Sequence, residues 1–213
     1  MQQPVKNCKW IKYPIGDITQ YYGENPKMYS ALGLGLSSHN GVDIVRPHGE
    51  HMYAVEDGVI CVVKDDAGGY GKYIRILSDA GLGRYREWTY GHMSQIGVKL
   101  GQKVKAGQFV GLMGNTGFVV SGDTPYWGSN PYAGTHVHFG LRLAKKSSTG
   151  WKYPYKESPR IDIVNYDNGN KGGIDPLPYF FTAPKARMMR DLAEKKKSAL
   201  LYSFAEVLQK INT

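Results

Sequence analysis

The chain has 213 residues, 41% of them apolar and 21% charged, which suits one domain with a sizeable core and leaves little room for two. That balance excludes a disordered chain, and no run approaches about 18 consecutive apolar residues, so no transmembrane helix is expected. The formal charge of +9 draws anionic partners without naming one.

The first residues, MQQPVKNCKWIKYPIG, are basic but contain no apolar stretch of signal-peptide length. The expectation is that any secretory signal has been removed or that export takes another route. From about residue 18 to 181 the chain reads as short β-type runs separated by Gly, Asn and Pro, the spacing of an all-β domain. Candidate strands are 52–56, 58–64, 72–77, 84–90, 108–113 and 135–143, and helical periodicity is nearly absent. Cys61 falls in the apolar run 59–63, where a buried, inert thiol is expected. With Cys8 it makes too few cysteines for a disulfide framework. DAGGYG (66–71) has the composition of a hairpin turn, and GVKLGQKVKAGQFVG (97–111) alternates tight turns with very short strands. Two segments, 118–134 and 145–173, are rich in Gly, Pro, Ser, Asn and aromatic residues and read as long surface loops.

After Pro184 the character changes. Met189, Leu192, Leu200, Phe204, Val207, Leu208 and Ile211 recur near a 3.6-residue period, with Lys195, Lys196 and Lys197 on the polar side, so a C-terminal amphipathic helix is expected over 185–213. Such a helix docks on the β domain, pairs with a second copy or lies against an anionic wall or membrane surface. Docking or self-association is the favoured reading. The chain thus divides into a β domain with its lead-in segment (1–184) and a helical tail (185–213).

Four of the six histidines stand in patterns that suit a metal site. His39-Asn40-Gly41-Val42-Asp43 separates an imidazole and a carboxylate by three residues that include a flexible glycine, and both are good zinc ligands. Thr135-His136-Val137-His138-Phe139-Gly140-Leu141 alternates with period two, so His136 and His138 share one strand face, roughly 6.5 Å apart, while Val137, Phe139 and Leu141 face the core. One imidazole can bind a metal there while its neighbour overhangs the same site. His92, in WTYGHMS, ends a predicted strand and gains weight only from this company. His48 and His51 have no matching partner and read as structural or exposed.

Together these segments resemble the lysostaphin-type zinc endopeptidases, peptidoglycan-cleaving metallopeptidases with H-x-x-x-D and H-x-H core motifs. The resemblance runs in order through ITQYYGEN, HNGVDI, YGHMS, GQKVKAGQFVGLMGNTG, HVHFGLR and IDPLPYF, and covers nearly the whole chain before Pro184. It implies a mainly β fold, an antiparallel sandwich of the duplicated hybrid motif type, with a substrate groove across the sheet and one Zn2+. It assigns His39, Asp43 and His138 as zinc ligands and His92 and His136 as the catalytic pair, either of which could be the base. The chain departs from the family in the long 118–134 loop and in Thr135, where a proline is common. Asn115 in the GNTG turn, with Tyr126, Trp127 and Tyr132 of that loop, are candidate substrate-binding residues.

The implied function is a zinc-dependent endopeptidase acting on peptidoglycan peptides at the bacterial cell wall, extracellular or periplasmic. A phage virion or release at lysis is one way to reach it, and no nucleic acid partner is expected. The competing reading is a non-catalytic structural or wall-binding protein that keeps the fold, against which the complete ligand set argues. A biotinyl or lipoyl carrier hairpin over 97–111 is discounted, because no lysine sits at the matching turn apex.

Overall fold

The computed structural model describes residues 1–10, 16–121, 124–125 and 132–181, and for 120, 121, 124 and 125 the backbone alone. The expected helix over 185–213 lies outside the described residues, as do Tyr126 and Trp127. In chain order the elements begin with β1 (Ile18–Gln20), a short helix α1 (Pro26–Ala31), β2 (Gly41–Ile44) and β3 (His51–Tyr53). The long strands β4 (Gly58–Asp66), β5 (Gly71–Gly81) and β6 (Arg84–Ile96) follow, then β7 (Lys103–Val104), β8 (Phe109–Met113), β9 (Val120–Ser121) and β10 (Thr124–Pro125). The last elements are β11 (Val137–Lys152), β12 (Arg160–Ile163), β13 (Gly173–Ile174) and one 3-10 turn (Leu177–Tyr179).

Every described pairing is antiparallel. The main path runs β1-β2-β11-β6-β5-β4-β7, with β12 and β13 on β11 and β8 joining β3 to β6. The period-two pattern explains the layers. Val137, Phe139 and Leu141 of β11, Trp88 and Tyr90 of β6 and Ile74 and Ile76 of β5 all point to one face and are at most 1% exposed. Against them packs an aromatic cluster, with Phe139 stacked on Trp88 at 5.4 Å between centroids and Trp10 tilted on Phe180 at 4.7 Å. The lead-in segment and the 3-10 turn thereby close this core on the side away from the groove. Cys61 is fully buried and its thiol pKa is pushed well up, chiefly by burial and then by Glu87, as an inert thiol requires.

The structure departs from the sequence reading in 145–173. Instead of a loop, β11 continues to Lys152 and turns back as β12, pairing Ala144 with Ile163 and Lys152 with Arg160. This arm projects beyond the main core, so most of Lys145–Lys152 is solvent-facing on both sides and shows no apolar alternation. A smaller core of Cys61, Leu77, Ala144, Tyr153 and Ile161 anchors it. In the other expected loop, β9 and β10 form a two-residue antiparallel pair. Helix α1 was also invisible to periodicity, because its six residues bury no side chain.

Candidate metal centre and groove

Strand β2 pairs with β11 so that Asp43 lies directly opposite His138. His39, just before β2, is gripped by the turn that follows β1: its backbone N–H donates to Glu24 O at 3.0 Å, and its carbonyl accepts from Gly23 N at 2.8 Å. Three donor atoms thereby converge. His39 Nε2 lies 3.0 Å from His138 Nδ1 and 3.0 Å from Asp43 Oδ1, and His138 Nδ1 lies 3.1 Å from Asp43 Oδ1. Gly41 makes this approach possible, since a Cβ there would come within 2.7 Å of the His138 ring and 2.8 Å of Phe139 O.

The triangle suits a metal cation. His39 Nδ1 is 3.0 Å from the carbonyl of Tyr21, which can only accept, so the proton sits on Nδ1 and the Nε2 lone pair faces the cluster. Among the described residues His138 Nε2 is buried with no hydrogen-bond partner, so within them no neutral tautomer of that ring satisfies both of its nitrogens. Burial by itself would raise the Asp43 pKa, but the neighbouring His39 and His136, with the close side-chain contacts of His138 and His39, outweigh it and hold the carboxyl well below its usual range. Burial likewise lowers the His138 pKa, favouring the neutral imidazole that a metal needs. Tetrahedral bonds of about 2.0–2.1 Å would set ligand atoms about 3.3 Å apart, close to the spacing found. All three residues are buried.

Two further imidazoles stand beside the triangle, with ring centroids 4.6 Å apart. His92 occupies an irregularity in the pairing of β5 with β6, at φ +59°, a left-handed conformation that costs free energy in a non-glycine residue. Its N–H donates to Tyr70 O at 2.7 Å, and its Nδ1 donates to Thr116 O at 2.8 Å. His136 is bridged to Gly114, its Nδ1 donates to Gly134 O at 2.7 Å, and its Nε2 is 3.8 Å from Asp43 Oδ1. In each ring a backbone carbonyl takes the Nδ1 proton, so a neutral imidazole presents its Nε2 lone pair as a base. Burial, then the neighbouring His136 and His138, pushes the His92 pKa down to about 3.

These residues border a groove of about 350 Å³ on the sheet face opposite the aromatic core. Sequence reasoning missed several of its members. Tyr70, taken only as part of a turn, accepts a hydrogen bond from Asn40 Nδ2 at 2.8 Å and sets its ring 5.0 Å from that of His138. Tyr29, on α1, stacks against His39 at 5.8 Å, and burial followed by Asp43 raises its phenol pKa. The carbonyls of Tyr21, Thr116 and Gly134 carry no side-chain signal at all. Of the candidate substrate-binding residues, Asn115 donates to Ala133 O at 2.9 Å, tying the GNTG turn to the segment before β11. Tyr132 is 66% exposed and sets its ring edge-on to His48 at 5.0 Å.

With this geometry in hand, comparison with known proteins places the chain. Residues 37–149, more than half of it, match the model of Peptidase family M23. Lysostaphin of Staphylococcus simulans is 35% identical over 158 residues, 74% of this chain and 27% of that protein. The peptidoglycan DD-endopeptidase ShyA of Vibrio cholerae is 32% identical over 117 residues, 55% of this chain and 23% of that one. The chain thus spans about a quarter of the length of these curated relatives. The solved structure of LytU is similar in fold, with a TM-score of 0.51 at 23% identity, covering 85% of this chain and 96% of that one. The match spans every histidine and carboxylate of the groove, and the chain belongs to peptidase family M23, as a lysostaphin-type member.

Proposed function

We propose that the chain is a zinc-dependent endopeptidase that hydrolyses peptide bonds of bacterial peptidoglycan, acting at the cell wall outside the cytoplasmic membrane. The observation that carries this reading is the buried triangle of His39 Nε2, Asp43 Oδ1 and His138 Nδ1, three lone-pair donors within 3.1 Å of one another. Family membership and the activity named for ShyA support the substrate class.

In this reading His39, Asp43 and His138 hold one Zn2+. When bound, zinc supplies a Lewis acid and a water acidified toward neutral pH. The rest of the chemistry falls to the chain's own imidazoles. His136 Nε2, on the Asp43 side of the pair, takes a proton from the attacking water and returns it to the leaving amine. His92, kept neutral by burial, holds its tautomer through Thr116 O and steadies its partner ring, and a protonated His136 then faces the oxyanion as the carbonyl becomes tetrahedral. Asn40 and Tyr70 border the same groove and orient the peptide by hydrogen bonds. The Tyr- and Trp-bearing segment 126–132 would narrow the choice of substrate.

The test is digestion of purified peptidoglycan by zinc-loaded protein, with His138→Ala as control and new amino termini read by mass spectrometry. Termini that vanish in the variant establish the endopeptidase and identify its bond. Bound zinc with no termini from several wall chemotypes would overturn the reading and leave a metal-binding scaffold.

A further inference from the structure

Past the histidines the groove floor carries a group of charges that peptide hydrolysis does not use. Along β11 the residues facing the groove are His138, Gly140 and Arg142; pairing sets Gly140 opposite Thr89 and Arg142 opposite Glu87 on β6, with Arg75 of β5 opposite Thr89. Glu87 is fully buried. Arg142 binds Glu87 Oε1 through Nε at 2.7 Å and also through Nη2, a forked, charge-assisted pair. Arg75 is different. Its side chain is only 19% exposed and its nearest approach to Glu87 is 3.6 Å, beyond hydrogen-bond reach. Among the described residues its Nε is buried with no hydrogen-bond partner. One buried carboxylate therefore serves two guanidiniums, and the group keeps one positive charge over.

That surplus faces a junction. Arg75, Arg142 and Tyr73 border both the metal-side groove and a second cavity of about 720 Å³, whose rim carries Trp151, 66% exposed. Between the metal triangle and the arginines the floor is smooth, because Gly140 has no side chain and Thr89 is small and buried. Arg75 lies level with Gly140, two positions along β11 from His138 and two strands across, about 12 Å from it at strand rise and strand spacing. An extended peptide covers that distance in roughly three to four residues.

Building on the proposed function, we infer that Arg75, supported by the Arg142–Glu87 pair, forms a specificity subsite for a carboxylate borne by the peptide strand about three to four residues from the scissile bond. A buried guanidinium nitrogen without a hydrogen bond is unfavourable, and a planar carboxylate matches the group's forked donors. Glu87 fixes Arg142 and limits the surplus to one charge, so the subsite suits a single anionic group.

The test uses the zinc-loaded full chain and two cross-linked muropeptides of one backbone, one with free carboxylates and one with them amidated. The wild-type chain is expected to prefer the acid by about tenfold or more in kcat/KM, mainly through KM. Arg75→Gln should cut both alike with unchanged melting temperature, while Arg75→Lys, which keeps the charge but not the fork, retains part of the preference. No preference in the wild type, or full preference in Arg75→Gln, overturns the subsite. If Arg75→Gln does not fold, Arg75→Lys decides: a reduced preference upholds the inference and an unchanged one overturns it. If the wild type cuts neither peptide, the proposed function fails on its own. The subsite is then read by calorimetric binding of the same pair, where an acid preference abolished in Arg75→Gln upholds it and equal binding overturns it.

Discussion

The two faces of β5, β6 and β11 are both withdrawn from water, yet they are held by different physics. On the core face Ile74, Trp88, Tyr90 and Phe139 are fully buried, and Phe139 contacts the rings of both Trp88 and Tyr90. On the groove face His138, Thr89 and Glu87 are at most 4% exposed, and each needs a partner to tolerate burial. The core face is stabilised by apolar area, which is additive and forgiving of partner identity. The groove face depends on particular pairs, so one strand carries stability on its odd-numbered side and chemistry on its even-numbered side.

Substitutions of neighbours on β11 should separate the two faces most sharply. His138→Ala is expected to bring hydrolysis to background and zinc stoichiometry to zero while the metal-free protein melts nearly as before, checked by metal analysis and calorimetry. Next to it, Phe139→Ala should cost about 3–5 kcal/mol of stability in chemical denaturation, and any protein still folded should bind zinc. A His138 variant that unfolds, or a Phe139 variant that folds stably without zinc, would break the division between the faces.

Within the groove face, His136→Ala should keep its zinc and lose about 10²–10⁴-fold in kcat, which separates holding the metal from moving the proton. Glu87→Gln removes the carboxylate shared by two guanidiniums and should destabilise by about 2–3 kcal/mol in urea unfolding, the low end for a buried pair because both arginines reach the groove. The mildest effect is expected from pH. Burial, with neighbouring imidazoles, depresses the folded pKa of His92 to about 3 and lowers that of His138. The unfolded chain therefore binds more protons than the folded one below pH about 6.5. The stability these groups contribute is present above that pH and is lost as pH falls toward their folded pKa values. The melting temperature of metal-free protein should be level above pH 7 and decline below about 6.5, and a decline on the alkaline side would contradict the assignment.

The same contrast explains what could be read without coordinates. Alternation in Val137–Leu141 was legible because a strand with one apolar face has a local period, and the pairing of His136 with His138 on the other face follows from it. The β11–β12 arm was not legible, since its residues meet water on both sides and its pairing joins segments that share no local pattern. Nor was the Arg75–Glu87–Arg142 group, whose charged residues read in a strand as ordinary solvent-facing positions until register brings three strands side by side.

The sequence by itself determined the donor types, their local spacing and the faces on which they stand: an imidazole and a carboxylate across Gly41, and two imidazoles alternating with core residues. These are properties of neighbours in the chain, governed by backbone period and side-chain chemistry. Only the tertiary structure decided that His39 meets His138 across 99 residues, that three carbonyls fix the tautomers of His39, His92 and His136, and that a buried glutamate answers two arginines. Those depend on register and on backbone groups that every residue carries alike, so no residue identity announces them.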